Sequence, residues 1–155
     1  MRLRIVVDTN VLLRSIQANH PQRDASSESI VEIRKQNHEV FVAPQNYFEL
    51  WVVCTRPETN NGLGFTVKRT EAELFNFQSF LPMVEETPEA FHTWQELVIK
   101  NSVLGKAAHD AHLVAIMKVH AVTHLLTFNT QDFQRYENIS VLHPDKVLQS
   151  ANNPP

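Results

Sequence analysis

Apolar residues fall in short blocks separated by amphipathic stretches, and the alternation of the two sets the fold. Leu3 to Val7 is a β-rich run closed by Asp8-Thr9-Asn10, which ends a strand and can cap a helix starting near Val11. From about Ala25 to Gln36, Ile30, Val31 and Ile33 make an apolar face opposed by Ser26, Glu28, Glu32, Arg34 and Lys35, which predicts a second helix. Val40 to Ala43 reads as a buried strand. Pro44 suits the first turn of a helix running to about Arg56, where Pro57 stops it. Thr55 to Gly64 holds two of the three glycines and is the clearest loop.

Further along, a helix is predicted from about Val67 to Leu81, with Thr66 or Thr70 as its cap, and Pro82 to Glu86 reads as a weak edge strand. Thr87-Pro88-Glu89 is a strong helix start: a hydroxyl cap, proline at the first position and an acid in the first turn. Another helix begins near Lys106 after Gly105. Ala121 to Phe128 and Ile139 to Leu142 return to strand character, and the polar residues 149–155 are expected to be a disordered tail. Strands alternate with helices and nothing repeats. The expectation is one domain over residues 1–148, a three-layer α/β/α sandwich on a mainly parallel sheet of about five strands.

Composition narrows the function classes. At 155 residues and 43% apolar content the chain has enough material for one real core. Its single cysteine, Cys54, excludes an internal disulfide framework and a Cys-rich zinc site, as a reducing cytoplasm would permit. Asp8, Asn10 and Arg14 interrupt the first apolar stretch before a signal-peptide core forms, and no segment approaches a membrane span. A net charge of −3 gives no global attraction to polyanions, so a nucleic-acid contact must rest on a local patch or a metal.

Three acids then stand out, because each sits inside an apolar element: Asp8 after Ile5-Val6-Val7, Glu49 among Tyr47, Phe48, Leu50 and Trp51, and Asp110 among Ala107, Ala108, Ala111 and Leu113. A buried charge without a partner costs several kcal/mol, and a shared divalent cation would compensate all three. In open α/β sheets ligands sit beyond the carboxyl ends of the strands. Asp8 lies at such an end, and so does Thr127 to Phe133, which adds the oxygens of Asn129 and Asp132. Magnesium and manganese take such hard ligands. Each residue also has a plainer explanation: Asp8 as a helix cap, Glu49 on a solvent strip of its helix, Asp110 favoured by a helix N-terminus, Asn129 and Asp132 as turn residues. Thr9 and Asn10 can cap the first helix and hold Asp8 in place at once. His109 and His112 flank Asp110, but their spacing does not match the zinc pattern His-Glu-x-x-His.

Ile5-Val6-Val7-Asp8-Thr9-Asn10-Val11-Leu12-Leu13, Glu49 in an aromatic helix, Gly105-Lys106-x-x-His109-Asp110-Ala111 and Leu125-Leu126-Thr127-Phe128-Asn129-x-x-Asp132-Phe133 together resemble the PIN domain, in that family's order. Thr55-Arg56-Pro57 with Asn61-Gly62-Leu63-Gly64 looks like the subgroup similar to VapC toxins. The resemblance implies an Mg2+- or Mn2+-dependent endoribonuclease in the cytoplasm, the toxin of a type II toxin–antitoxin pair, often a homodimer and held inactive by a small antitoxin protein. It implies Asp8, Glu49 and Asp110 as metal-site acids, with Thr9, Asn10 and Thr127 supporting them. Arg56, Lys106 and His112 are the candidates for substrate phosphate. The chain departs from the pattern twice. Asn129 stands where the fourth acid is usual, so either its amide oxygen binds metal or Asp132 takes over the catalytic work. His112 stands where the subgroup tends to carry arginine. Two rivals follow: a PIN-like module that only docks RNA or protein, favoured by Asn129, and a His-Asp metal phosphohydrolase, suggested by His109-Asp110 but belonging to an all-helical class.

Overall fold

A computed structural model describes residues 1–153. The run Ile5-Val6-Val7 sits at the centre of the molecule in strand β1 (Arg4–Val7), with all three side chains fully buried. Their alternation serves two layers. Ile5 and Val7 face a cluster built from helices α1 (Thr9–Ser15), α2 (Arg23–Lys35), α3 (Pro44–Thr55) and α4 (Val67–Gln78). Val6 faces the opposite cluster, built mainly from α5 (Pro88–Lys100) and α6 (Ala107–Val119). Strand β3 (His124–Leu126) repeats the arrangement, with Leu126 to the first layer and Leu125 to the second. Burial on both faces is why these strands read as continuous apolar runs. Burying each such Val, Leu or Ile contributes about 1.5–3 kcal/mol.

The α/β/α sandwich is as expected, on a fully parallel sheet in the order β2-β1-β3-β4, where β2 is Glu39–Phe41 and β4 is Ser140–Leu142. Four strands form among the described residues rather than about five. The expected edge strand at 82–86 shrinks to one parallel bridge between Val42 and Met83. Pro82 has no N–H to donate, so pairing there is limited to Val42 N donating to Pro82 O (3.1 Å) and Val84 N to Val42 O (2.9 Å). The N-terminal region departs less: α1 begins at Thr9, two residues earlier than expected.

At the C-terminus, α7 (Pro144–Asn152) occupies half of the stretch expected as a disordered tail. The side chain of His143 accepts from Asp145 N to start it, and Val147 packs on the first-layer core. Residues 154 and 155 lie outside the described residues. Thr87 does occupy the cap position of α5, but its hydroxyl makes no capping bond. No described helix is long and apolar enough to cross a membrane.

The topology also fixes where a site can form. From β1 the chain moves to β2 on one side and later returns to place β3 on the other, so a crevice opens at the carboxyl ends of β1 and β3. Asp8 and Thr127 are the first residues past those two ends.

Candidate active site

Asp8 continues the sheet: its N–H donates to Leu126 O (2.9 Å) before α1 begins. Its carboxylate then receives three donors. Thr9 N gives to Oδ1 at 2.8 Å, which caps α1, while Thr127 Oγ1 (2.8 Å) and Asn10 Nδ2 (3.3 Å) give to Oδ2. The plain role and the functional one therefore coincide at Asp8. Thr127 is fully buried and its hydroxyl works in both directions, accepting from Asn10 Nδ2 (3.1 Å) and from Asn129 N (3.0 Å). Thr9 is held in turn, since its hydroxyl accepts from Asn46 Nδ2 at 3.0 Å. Asn46 also accepts from Ala43 N (2.7 Å), closing the first turn of α3 that Pro44 initiates.

That turn places Glu49 one helical turn further along, half-buried and facing the start of α6. Gln45, four residues before Glu49 and only 6% exposed, donates from Nε2 both to Glu49 Oε1 (2.5 Å) and to His109 O (2.8 Å). Gly105, at φ +57, turns the chain into α6, and the Trp94 indole donates to Ala108 O (2.8 Å) to anchor its first turn. Asp110 lies in that turn, half-buried.

A pocket of about 500 Å³ is lined by Glu49, Lys106, Ala107, His109, Asp110, Asn129, Asp132 and Arg135. Asp8 is electrically part of the same group. Burial pushes its carboxyl up to about 6, against the Thr127 and Thr9 hydrogen bonds, and the charges of Glu49 and Asp132 add to the rise. Asp110 is pushed up to about 7, by burial first and then by the charges of Asp8, Asp132 and Glu49, with Arg135 pulling the other way. Four acids thus repel one another across one crevice. A divalent cation fits that donor chemistry: every carboxylate and amide oxygen is a hard ligand, and the one thiol, Cys54, is buried in the first-layer core outside the pocket. Among the described residues no three His, Cys, Asp or Glu side chains close into a ready cage. Magnesium usually keeps several waters and takes only one or two protein carboxylates.

Of the residues expected at the site, Glu49, Lys106, Asp110, Asn129 and Asp132 line the pocket. Asp8, bonded by Thr9, Asn10 and Thr127, stands outside that lining, at the strand ends that form the base of the wider crevice, and is tied to the pocket acids by charge. Two of the expected phosphate contacts lie elsewhere. Arg56 ends α3 away from the pocket, donates to Asn61 O (3.0 Å), and has its carbonyl covered by Gly62, where a Cβ would come within 1.9 Å. His112 turns to the side: Nδ1 meets Gln45 Oε1 and Nε2 meets Glu86 Oε1 (2.9 Å). Sequence reasoning missed Gln45, Asn46 and Arg135. For Gln45 the i, i+4 spacing to Glu49 was an available signal. For Arg135 it was the position two residues beyond Phe133, between the buried rings of Phe133 and Tyr136.

Comparison with known proteins agrees with this architecture. Residues 5–139 match the model of the PIN domain family. No sequence among curated proteins matches this chain. Similar solved structures include VapBC2 of Rickettsia felis bound to a DNA fragment from its promoter, at 14% identity and a TM-score of 0.68, covering 91% of this chain and 98% of that one. A toxin–antitoxin complex from Klebsiella pneumoniae aligns at 16% identity and a TM-score of 0.60, covering 90% and 97%. The sarcin–ricin loop cleaving toxin VapC20 of Mycobacterium tuberculosis aligns at 13% and 0.60, covering 78% and 86%. Identities this low speak for the fold alone.

Proposed function

The chain belongs to the PIN domain family, and from that premise we propose that it is a divalent-metal-dependent endoribonuclease, the toxin of a type II toxin–antitoxin pair. One observation carries the reading: Asp8, Glu49, Asp110 and Asp132, drawn from four separate segments, act on one another's charge at the carboxyl ends of β1 and β3. A fold that gathers uncompensated acids there is arranged for a cation and a phosphodiester rather than for its own stability.

In this reading Asp8, Glu49 and Asp110 hold Mg2+ or Mn2+, with Asp132 or the Asn129 amide oxygen as a further ligand at the rim. When bound, the ion supplies an activated water for hydrolysis and neutralises charge on the phosphate. The chain's own groups do the rest. Thr127, Thr9 and Asn10 fix the angle of the Asp8 carboxylate. Lys106 and Arg135 are the cations on the pocket wall and receive the non-bridging oxygens of the phosphate, the part that Arg56 does not reach. The exposed Phe48 and Val52 on α3 offer apolar surface for an antitoxin or a second copy. The protein then works as a single cytoplasmic domain.

A second reading, a PIN-like module that docks RNA or protein without cleaving, is favoured by Asn129 in place of an acid. The His-Asp metal phosphohydrolase class is not supported by a fold centred on a parallel sheet. The deciding experiment incubates purified protein and its Asp8→Asn variant with structured and single-stranded RNAs in manganese, magnesium or EDTA. Metal-dependent cutting that is lost in Asp8→Asn supports the nuclease. No cutting, with no metal binding by calorimetry, moves the assignment to the binding module.

A further inference from the structure

Gln45 is a buried amide that makes three side-chain hydrogen bonds, and nothing in the acidic site's own chemistry calls for it. Its amide has two hydrogens and both are used, one on Glu49 Oε1 (2.5 Å) and one on His109 O (2.8 Å). Its oxygen faces Nδ1 of His112. The opposite orientation of the amide would set its oxygen against a carboxylate and a backbone carbonyl, both acceptors only, so the orientation is fixed by its surroundings. Nδ1 must accordingly donate to Gln45, and the other ring nitrogen, Nε2, meets Glu86 Oε1 at 2.9 Å. The result is a continuous chain, Glu86–His112–Gln45–Glu49, that starts on a side chain 44% exposed and ends on a pocket carboxylate.

The chain spans three elements. Gln45 and Glu49 belong to α3, His109 and His112 to α6, and Glu86 to the segment before α5. The Gln45 bond to His109 O lies one residue from Asp110, so a single amide sets the element bearing one pocket acid against the element bearing another. Glu49 has three rotatable side-chain bonds, and its carboxylate takes its hydrogen bond from Gln45. Without a donor its carboxylate would be free to swing toward solvent and away from Asp8 and Asp110, which repel it.

We propose that Gln45 is a positioning residue for Glu49, itself held by His112 and Glu86, and that this relay keeps Glu49 turned toward the crevice shared with Asp8 and Asp110. The inference rests on the metal-site reading given above and adds the device that orients one of its acids. Residues that orient a metal ligand typically alter affinity or activity about 10–100-fold when replaced.

The test measures Mn2+ binding by titration calorimetry for the full chain and for Gln45→Met, Glu49→Gln and the double variant, with circular dichroism to confirm folding. Gln45→Met keeps the length of the side chain and deletes the amide. Mn2+ affinity is expected to fall about 10–100-fold in Gln45→Met, with no further loss when Glu49 is already Gln, because the amide acts only through that carboxylate. Glu86→Ala, at the exposed end and safe for folding, should weaken Mn2+ in the same direction by a smaller factor. In RNA cleavage, kcat should drop with KM nearly unchanged. Full-chain protein that binds Mn2+ while Gln45→Met and Glu86→Ala bind equally well would overturn the relay and leave the nuclease reading standing, as would losses that simply add in the double variant. Wild-type protein that binds no Mn2+ would overturn both.

Discussion

The base and the rim of the acidic crevice are built differently. At the base, the Asp8 carboxylate accepts three hydrogen bonds and each donor is itself fixed: Thr127 by Asn10 and Asn129, Thr9 by Asn46, Asn10 by Phe128 N. At the rim, Lys106, Asn129, Asp132 and Arg135 are exposed. Glu49 lies between, carried by one buried amide. A fixed base with an open rim is the arrangement expected where one group must hold its geometry through turnover while others admit and release a charged polymer. The same contrast predicts that substitutions at the base act on stability and metal together, whereas rim substitutions act on charge and little else.

The largest consequence lies in the stability of the metal-free protein. Asp110 is pushed up to about 7 from an ordinary carboxyl near 3.8, chiefly by burial and then by Asp8, Asp132 and Glu49. Between those values the folded chain retains a proton that the unfolded chain has released, so the term favours folding least at high pH: stability falls as pH rises from about 4 to 7. Asp8, pushed up to about 6, acts in the same direction over a narrower range. Asp110→Asn removes the cost. Since Asp110 is only half-buried and solvent screens part of the repulsion, the gain at pH 7 should be about 1–2 kcal/mol, or roughly 2–8 °C in Tm. Thermal melts in EDTA at pH 5 and pH 7.5 check this, and the variant should gain most at the higher pH. A variant that is less stable than wild type at pH 7.5 would mean that the crevice is not a site of stored repulsion.

Of comparable size is Thr127→Val, which keeps the shape of a fully buried side chain and deletes its hydroxyl. Asp8 loses its donor at 2.8 Å, and the N–H of Asn129 loses its acceptor. An unpaired buried group costs about 1–3 kcal/mol, and Mn2+ affinity should fall about 10–100-fold. Calorimetry and melting on the same samples separate the two effects. A loss of stability with unchanged metal affinity would show that the base is scaffolding only.

Much of this contrast was legible in the sequence, for a reason that differs between the two regions. The base is written in local order: an apolar strand, an acid, a capping threonine and asparagine, and later a threonine after another strand. Burial on both faces makes such strands unmistakable, and Asp8 follows one directly. The acids on α3 and α6 were legible because apolar neighbours left each without an obvious local partner. What stayed hidden depends on distance across the fold. His112 read as a phosphate contact because it stands where the resembling subgroup tends to carry arginine, but pairing with Gln45, 67 residues away, and with Glu86 draws it aside. Arg56 was also a candidate for substrate phosphate, yet the loop after it folds back and uses its guanidinium on Asn61 O. The edge strand at 82–86 failed on one missing donor at Pro82, and α7 was passed over because its mostly polar sequence conceals the few apolar residues, among them Val147 and the buried Pro144, that dock it.

The smallest effects are expected at the rim, and they decide which residue stands in for the fourth acid. Asp132 contributes to the charge felt by both Asp8 and Asp110, whereas Asn129, though it lines the same pocket, is neutral and bonds through its backbone to Thr127. If Asp132 has assumed the role, Asp132→Asn should weaken Mn2+ by about tenfold or less, since affinity in such sites follows the number of ligand charges. Asn129→Asp should then strengthen it by no more than a few-fold, because the added carboxylate would compete with one already present. The reverse ranking, a large gain from Asn129→Asp and no loss from Asp132→Asn, would place the missing ligand at position 129 and make this chain a weakened form of its family's site. A rim substitution as costly as Thr127→Val would break the comparison outright, because exposed side chains could then carry as much of the site's geometry as the wired carboxylate beneath them.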